Sequence, residues 1–365
     1  MPDQFYHTRT FAGRALRAQQ LQRYFLLFVT AAFTMLSLTS CADDDPTYYA
    51  DEVVENLVVA VILPTNADFV VSVERLNSAC RALRESPTDN AQIANAGNLW
   101  RDARALWSMS EAYAFGPAEE FNLKAELNAW PIDADGVENL LASSTDLTQS
   151  VLSTQAADLR GFHAIEYLLF RDGHARSQQD LTAREREYLE AAAGLIMGRV
   201  QQYAARWAAD NGFHLQIVGE DGTRINSAEL FIQLTFGAIT DLCNDLHNVR
   251  LERPLQTQNM NDVESVLSYN TLNEVRNNLL GIQHLLRGSI DFDPNSEGLT
   301  AWIDTRNRLV AQRLSVRISS AQSALDVAPI PLANNLNDQD GYTPALDALQ
   351  ELLQSLTDDV PPLYE

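Results

Sequence analysis

Apolar residues recur at helical spacing along almost the whole of this chain, and this pattern restricts the fold more than any other feature. Within residues 66–84, one helix face collects Phe69, Val70, Val73, Leu76, Ala79, Cys80 and Leu83. Long alternating runs of β-branched residues, which are typical of strands, are absent. The same spacing predicts helices over 89–115, from about 156, and over 182–210, 227–250, 271–287, 298–325 and 341–356. We therefore predict an all-α fold.

The length predicts more than one domain. A chain of 365 residues exceeds one ordinary hydrophobic core, and residues 212–225 have the composition of a turn or small hairpin. We predict two tandem helical bundles of the four-helix type, over residues 51–212 and 222–365.

The first forty residues resemble a bacterial export signal. Four arginines precede an apolar run over 24–38, which is too short for a comfortable membrane span. The run ends in Leu38-Thr39-Ser40-Cys41, the order of a lipobox, so we predict removal of residues 1–40 and lipidation of Cys41. The alternative is a plain secretory signal that ends near a cysteine. The lipobox predicts a lipid-anchored protein of the cell envelope, with the outer membrane favoured, a polar tether over 41–50, and no later segment apolar enough to cross a membrane.

The charge balance excludes one class of partner. The chain carries 26 basic and 49 acidic residues, and Lys124 is its single lysine. Nucleic acids need a basic footprint, so we predict that none binds here. An acidic surface suits cations or solubility at high salt. The two cysteines that remain after Cys41, Cys80 and Cys243, are predicted to be small buried side chains and not a disulfide, although an oxidising envelope would permit one.

One short motif places chemistry inside an apolar helix. In Gly161-Phe162-His163-Ala164-Ile165-Glu166, the imidazole and the carboxylate are three positions apart and share a helix face. Such a pair can hold one metal ion, or one group can hydrogen-bond the other. The ferritin-like di-iron pattern needs a second Glu-x-x-His pair, and none of His174, His214, His247 and His284 completes one. Zinc-helix, nucleophile-elbow, Walker and dinucleotide signatures are also absent.

Four segments together resemble the imelysin family. They are GFHAIEYLLF at 161–170, WSMSEAYAFGP at 107–117, NAWPID at 128–133 and VESVLSYNTLNEVRNNLLGIQHLLRG at 263–288, in the family's order over residues 53–356. The resemblance implies an extracytoplasmic all-helical protein whose Gly-x-His-x-x-Glu motif faces a cleft between two bundles. Family members have been described as insulin-cleaving peptidases, as iron-regulated envelope proteins and as components of iron uptake.

The same resemblance brings further residues to the predicted site. Glu111 is the best candidate for another metal ligand beside His163 and Glu166, although a surface helix carboxylate is an equal reading of the bare residue. Arg104 is predicted to pair with a buried acid, and Asp133 to cap a helix. Arg104 and Asp133 are also candidates for the cleft, together with Gly161, Trp130, Ser268 and Asn273. Asn270 or Thr271 is predicted to cap a helix.

Three functions remain open from the sequence. The first is an envelope lipoprotein that binds a metal ion, with iron preferred to zinc or calcium, or a metal-linked ligand, and that works with other iron-uptake proteins. The second is a metallopeptidase that uses Glu166, although His163 and Glu166 supply two zinc ligands at most and three are needed. The third is a structural or partner-docking module without a metal.

Overall fold

The computed structural model describes residues 46–85, 89–208, 212–213 and 228–364. The described residues from Tyr49 onward belong to one compact unit. The predicted signal segment, Cys41 and most of the predicted interdomain turn lie outside the described residues. The division into two bundles therefore stays a prediction, and we refer below to an N-terminal half, 49–208, and a C-terminal half, 228–364.

The fold is all-α, as predicted. Its α-helices are α1 (Pro46–Leu57), α2 (Leu63–Glu85), α3 (Asn90–Ser110), α4 (Pro117–Glu120), α5 (Leu123–Asn128), α6 (Ala134–Ala142), α7 (Gln149–Ser153), α8 (Phe162–Leu169), α9 (Ala183–Trp207), α10 (Ala228–Asn244), α11 (Arg253–Thr257), α12 (Thr271–Arg287), α13 (Leu299–Asp304), α14 (Arg308–Asp326) and α15 (Gln339–Gln354). π-helical turns at Val58–Ile62, Asp245–Glu252 and Ser355–Asp359 continue α1, α10 and α15.

Short 3-10 turns and one small hairpin complete the described chain. The 3-10 turns are Glu111–Tyr113, Ala157–Leu159, Gln178–Asp180, Met260–Asp262, Leu332–Asn334 and Pro361–Tyr364. Strands β1 (Phe170–Arg171) and β2 (His174–Ala175) pair antiparallel directly after α8. The sequence did not predict this hairpin, because two-residue strands leave no periodic pattern.

Three long helices form the core of the N-terminal half, and a fourth joins it to the rest. Helix α2 packs against both α3 and α9, and α3 also packs along α12 of the C-terminal half. A capping box formed by Thr182 and Glu185 begins α9, within the helix predicted over 182–210. Cys80 and Cys243 are free and buried, as predicted, and burial raises the pKa of both thiols to about 12.

Some predicted boundaries were wrong for local reasons. The predicted tether over 41–50 overlaps α1, which begins at Pro46. The helix predicted over 298–325 is two helices, because the Asn307 side chain accepts from the first amides of α14 and starts a new helix there. The helix predicted from about 156 begins at Phe162, after a 3-10 turn.

The first helical run corrects the expectation that no segment after the signal is apolar enough to cross a membrane. Tyr49–Glu85 is long and apolar enough to pass a length-and-composition test for a membrane span, a test that core helices also pass. About half of its most apolar window is buried inside the fold, and Val54, Leu57 and Val58 are completely buried. Its apolar composition is accounted for by core packing.

Candidate functional site

Gly161 sets the position of the His-x-x-Glu motif at the start of α8. Its φ of +84° and ψ of −165° lie where side chains are strained, and an added Cβ would stand 2.6 Å from the Leu127 carbonyl oxygen. A glycine is required here because the backbone of α5 passes so closely. This contact brings the end of α5, with Asn128, against the first turn of α8.

Gly161→Ala should therefore destabilise the fold by at least about 2 kcal/mol, from backbone strain and the clash together. Gly198→Ala in α9 is a matched control, since its added Cβ meets nothing within 4 Å, and it should be neutral or stabilising by up to about 1 kcal/mol. Urea denaturation of both variants measures the contrast. Equal effects would show that Gly161 is not positioned as described.

Both ring nitrogens of His163 have partners. Nδ1 lies 3.1 Å from Glu166 Oε2, and Nε2 lies 3.1 Å from Asn128 Oδ1 and 3.4 Å from Glu264 Oε1. Burial lowers the pKa of the imidazole, but the bonds to Glu166 and Glu264 outweigh it and raise the pKa above the ordinary 6.5. The geometry is that of an imidazolium donating from both sides.

This protonation makes the stability contributed by His163 depend on pH. Because its folded-state pKa is raised, the contribution is complete below about pH 6.5 and is lost as the pH rises through the folded-state value. The difference in unfolding free energy between wild type and His163→Gln should be larger at about pH 6 than at about pH 9. Urea titrations at both pH values test this, and a difference that grows with pH would contradict it.

Glu166 is held from the C-terminal half. Its Oε1 accepts from the backbone N–H of Ser268 at 2.9 Å and from the Ser268 hydroxyl at 2.8 Å. Close by, Arg101 Nη2 donates to the carbonyls of Gly173 and Ser268 at 3.0 and 3.1 Å. The β1–β2 hairpin is thereby tied to the loop that presents Ser268.

Arg104 is a completely buried cation at the centre of the site. Its Nε donates to Glu274 Oε1 at 3.0 Å while Nη2 donates to Glu274 Oε2, so the pair is bidentate. Nη2 also reaches Glu264 Oε1 at 3.3 Å, and Nη1 donates to Asn128 Oδ1. The prediction that Arg104 pairs with a buried acid is confirmed, with two acids.

Arg250 is the second buried cation, and it binds the predicted ligand Glu111. Arg250 Nη2 donates to Glu111 Oε1 at 2.9 Å and Nε to Asp245 Oδ2 at 2.9 Å. Glu111 Oε2 accepts from Asn278 Nδ2 at 2.9 Å. The carboxylate predicted to ligate a metal is thus occupied by a guanidinium and an amide.

Glu264 links these parts into one buried ion network. It lies within 3.4 Å of His163, Arg104 and Arg250, and it accepts from Asn128 Nδ2 at 3.0 Å. Burial raises the pKa of this carboxyl, but Arg250 and the other cations outweigh it and hold the pKa well below 4.5. The buried ion network comprises His163, Glu166, Arg104, Arg250, Glu111, Asp245, Glu264 and Glu274, with Asn128, Asn278 and Ser268.

The donors do not suit a coordinated metal ion in this arrangement. Among the described residues, no group of three or more histidine, cysteine, aspartate or glutamate side chains is placed to hold one. A metal-binding histidine needs a neutral ring with a free nitrogen, and both nitrogens of His163 are engaged. The structure brings His163 and Glu166 together but leaves Glu111 with Arg250.

The remaining predicted residues take different places. Asp133 caps α6 by accepting from the Gly136 N–H at 2.9 Å, as predicted. Asn273 contacts Asn270 and Arg276, outside the network. Asn270 is at the cap position of α12 without a side-chain cap. Its amide instead donates to Glu274 Oε1 at 2.8 Å.

Two cavities between the halves lie against the network. The first, which we name the tryptophan cavity, has a volume of about 280 Å³. It is lined by Trp107, Glu111, Ala114, Ala118, Glu119, Asn122, Leu123, Lys124, Ala238, Asp241, Leu242 and Asp245. The second, the arginine crevice, has about 260 Å³ and contains Trp130, Arg253, Asn128, Arg250 and Glu264. Lys124 and Asp245 belong to both cavities.

A comparison with known families now decides the classification. The imelysin family model, also named for M75 peptidases, matches residues 62–358. This chain belongs to the imelysin family. The match covers every residue of the buried ion network.

Individual relatives agree with this classification. Iron-regulated protein A of Synechococcus elongatus is 26% identical over 318 residues, which are 86% of this chain and 85% of that protein. The crystal structure of a protein provisionally described as an iron-regulated protein A precursor from Parabacteroides distasonis has a TM-score of 0.79, 24% identity, and coverage of 85% of this chain and 94% of that one. The crystal structure of an imelysin-like protein from Psychrobacter arcticum has a TM-score of 0.72 and 16% identity. The match covers 87% of this chain and 96% of that one. At these identities the two structures establish the fold.

Sequence reasoning missed several members of the network in this imelysin-family chain. Asn128, Glu264 and Glu274 lie inside the segments that carried the resemblance, yet they were not singled out. The sequence does not show that these residues are buried together, because partners such as Arg104 and Glu274 are 170 residues apart. Arg250, at the end of a predicted helix, gave no local signal.

Proposed function

We propose that this chain is a lipid-anchored envelope protein that acts in iron uptake by binding an iron-linked ligand in the tryptophan cavity. The observation that carries the proposal is that the network is internally satisfied while a cavity of about 280 Å³ opens between the halves beside it. The iron connection rests on the relative in Synechococcus elongatus, which is named for iron regulation. The envelope location rests on the lipobox at Cys41.

The ligand is proposed to be iron in complex, not the bare ion at His163 and Glu166. A bare ion would have to displace a proton from His163, and it would compete with Ser268 for Glu166. The tryptophan cavity, in contrast, presents carboxylates to its interior without burying them completely. Glu119 and Asp241 are exposed and form no ion pair within the described part of the chain.

A peptidase role has no supporting observation in this geometry. A zinc hydrolase needs three protein ligands and an open water position, and the described residues bring no third donor to His163 and Glu166. Chelator-sensitive cleavage of a peptide that disappears in Glu166→Ala would support that role. We propose that no such cleavage occurs.

Equilibrium dialysis with radioactive iron tests the binding proposal. The iron is offered as Fe²⁺ and as ferric citrate to wild type, to Glu119→Gln/Asp241→Asn and to His163→Gln. We expect ferric citrate to bind wild type, the double variant to lose at least about tenfold in affinity, and folded His163→Gln to stay within about threefold. Stoichiometric binding of Fe²⁺ alone that is lost in Glu166→Gln would overturn the proposal.

Anchoring is tested separately. Cys41→Ser removes the thiol that would be lipidated, so the protein should move from the membrane fraction to the soluble envelope fraction. Fractionation with an antibody measures the shift. Retention in the membrane fraction would contradict lipidation at Cys41.

A further inference from the structure

We propose that Lys124 binds a free carboxylate of the ligand, so that the tryptophan cavity selects chelates carrying both a metal's positive charge and an uncoordinated carboxylate arm. This inference rests on the proposed function and names the ligand class for that cavity. Its starting point is the single lysine in 365 residues, which stands where the tryptophan cavity meets the arginine crevice.

The position of Lys124 has no stabilising explanation. It forms no ion pair with any described residue, while the buried cations Arg104 and Arg250 each contact several acids. It is exposed and lies in the first turn of α5, where a helix dipole disfavours a cation. An exposed ammonium that forms no ion pair among the described residues is available to a ligand.

The other charges in the tryptophan cavity define what the ligand must carry. Glu111 and Asp245 both pair with Arg250, which leaves Glu119 and Asp241 as the lining carboxylates without an ion pair among the described residues. The two carboxylates attract a positive centre and repel a simple anion, while the ammonium of Lys124 attracts an anionic arm. A ligand that carries a positive centre and a free carboxylate satisfies both.

Trp107 contributes an apolar wall of the cavity, since it lines the cavity and is 2% exposed. The volume of about 280 Å³ corresponds to roughly nine waters of liquid, enough for a chelate the size of ferric citrate.

Isothermal titration of the full mature protein tests the inference, with ferric citrate as the probe and citrate alone as its metal-free counterpart. Lys124→Gln should weaken ferric citrate binding at least about tenfold, and Lys124→Arg should remain within about threefold because the charge is kept. Citrate alone should bind wild type at least about tenfold more weakly than ferric citrate.

Arg313→Gln is the matched control. It also removes one exposed positive charge, from a pair with Asp359 at 2.7 Å, and should leave binding unchanged. Thermal unfolding of each variant confirms that it is folded. Equal ferric citrate affinity in wild type and Lys124→Gln, or equal affinity for citrate alone, overturns the inference and leaves the proposed function standing. Failure of wild type to bind any iron species overturns both.

Discussion

Glu264→Ala is expected to lower the free energy of unfolding by about 3–5 kcal/mol. The reason is that His163, Arg104 and Arg250 all face this carboxylate within 3.4 Å. Its removal leaves buried cations without a shared counter-ion, and an uncompensated buried charge costs several kcal/mol. Chemical denaturation followed by circular dichroism gives the measurement.

The control for this variant is Glu85→Ala. Glu85 also pairs with an arginine, Arg81 at 2.8 Å, but both side chains are about 60% exposed, and such pairs contribute less than about 1 kcal/mol. The pKa of Glu264 is held well below 4.5, so its contribution is present above about pH 4.5 and is lost only as the pH falls through the folded-state value. A loss equal to that of the control would show that Glu264 is not the common counter-ion.

Arg104→Met is expected to cost about 3–5 kcal/mol as well. The substitution keeps an unbranched side chain of similar length among the rings of Trp100 and Phe162, which the guanidinium faces at 5.9 and 5.4 Å. It leaves Glu274 buried with its bidentate partner gone. Arg104→Lys should recover only part of the loss, since an ammonium cannot donate in a bidentate fork.

A double-mutant cycle separates the ion pair from packing. If the bidentate pair carries the effect, Arg104→Met and Glu274→Gln together should cost clearly less than the sum of the single variants. Arg81→Met on the exposed face of α2 is the control for loss of an arginine. Strict additivity of the two buried substitutions would contradict the pairing.

The sequence predicted most of the fold because helical signals are local. The amphipathic spacing in α2 and the capping box at Thr182 each depend on residues within a turn or two. The segment from Pro117 to Ser153 was not resolved into its short helices, because four to nine residues do not show a full apolar period. The β1–β2 hairpin was missed for the same reason.

The site was predicted only in part because its chemistry depends on partners distant in sequence. The spacing of His163 and Glu166 brought them together as expected, and Arg104 was correctly read as a buried ion-pair partner. Sequence spacing could not show that Glu264, 101 positions after His163, lies 3.4 Å from its ring. Nor could it show that Arg250 forms an ion pair with Glu111. With those partners in place, a motif that suggested a metal site becomes a satisfied ion network between the halves.

His163 has the geometry of a doubly hydrogen-bonded imidazolium, and we propose that metal binds elsewhere. Nitrogen-15 NMR of the histidine and tryptophan side chains tests both statements, at about pH 7, before and after addition of Zn²⁺ and of gallium citrate as diamagnetic stand-ins for bare and chelated metal. We expect both His163 nitrogens to carry protons throughout, while gallium citrate shifts the indole signal of Trp107, which lines the tryptophan cavity. A His163 nitrogen that loses its proton and takes a metal-bound shift would show that His163 is a metal ligand.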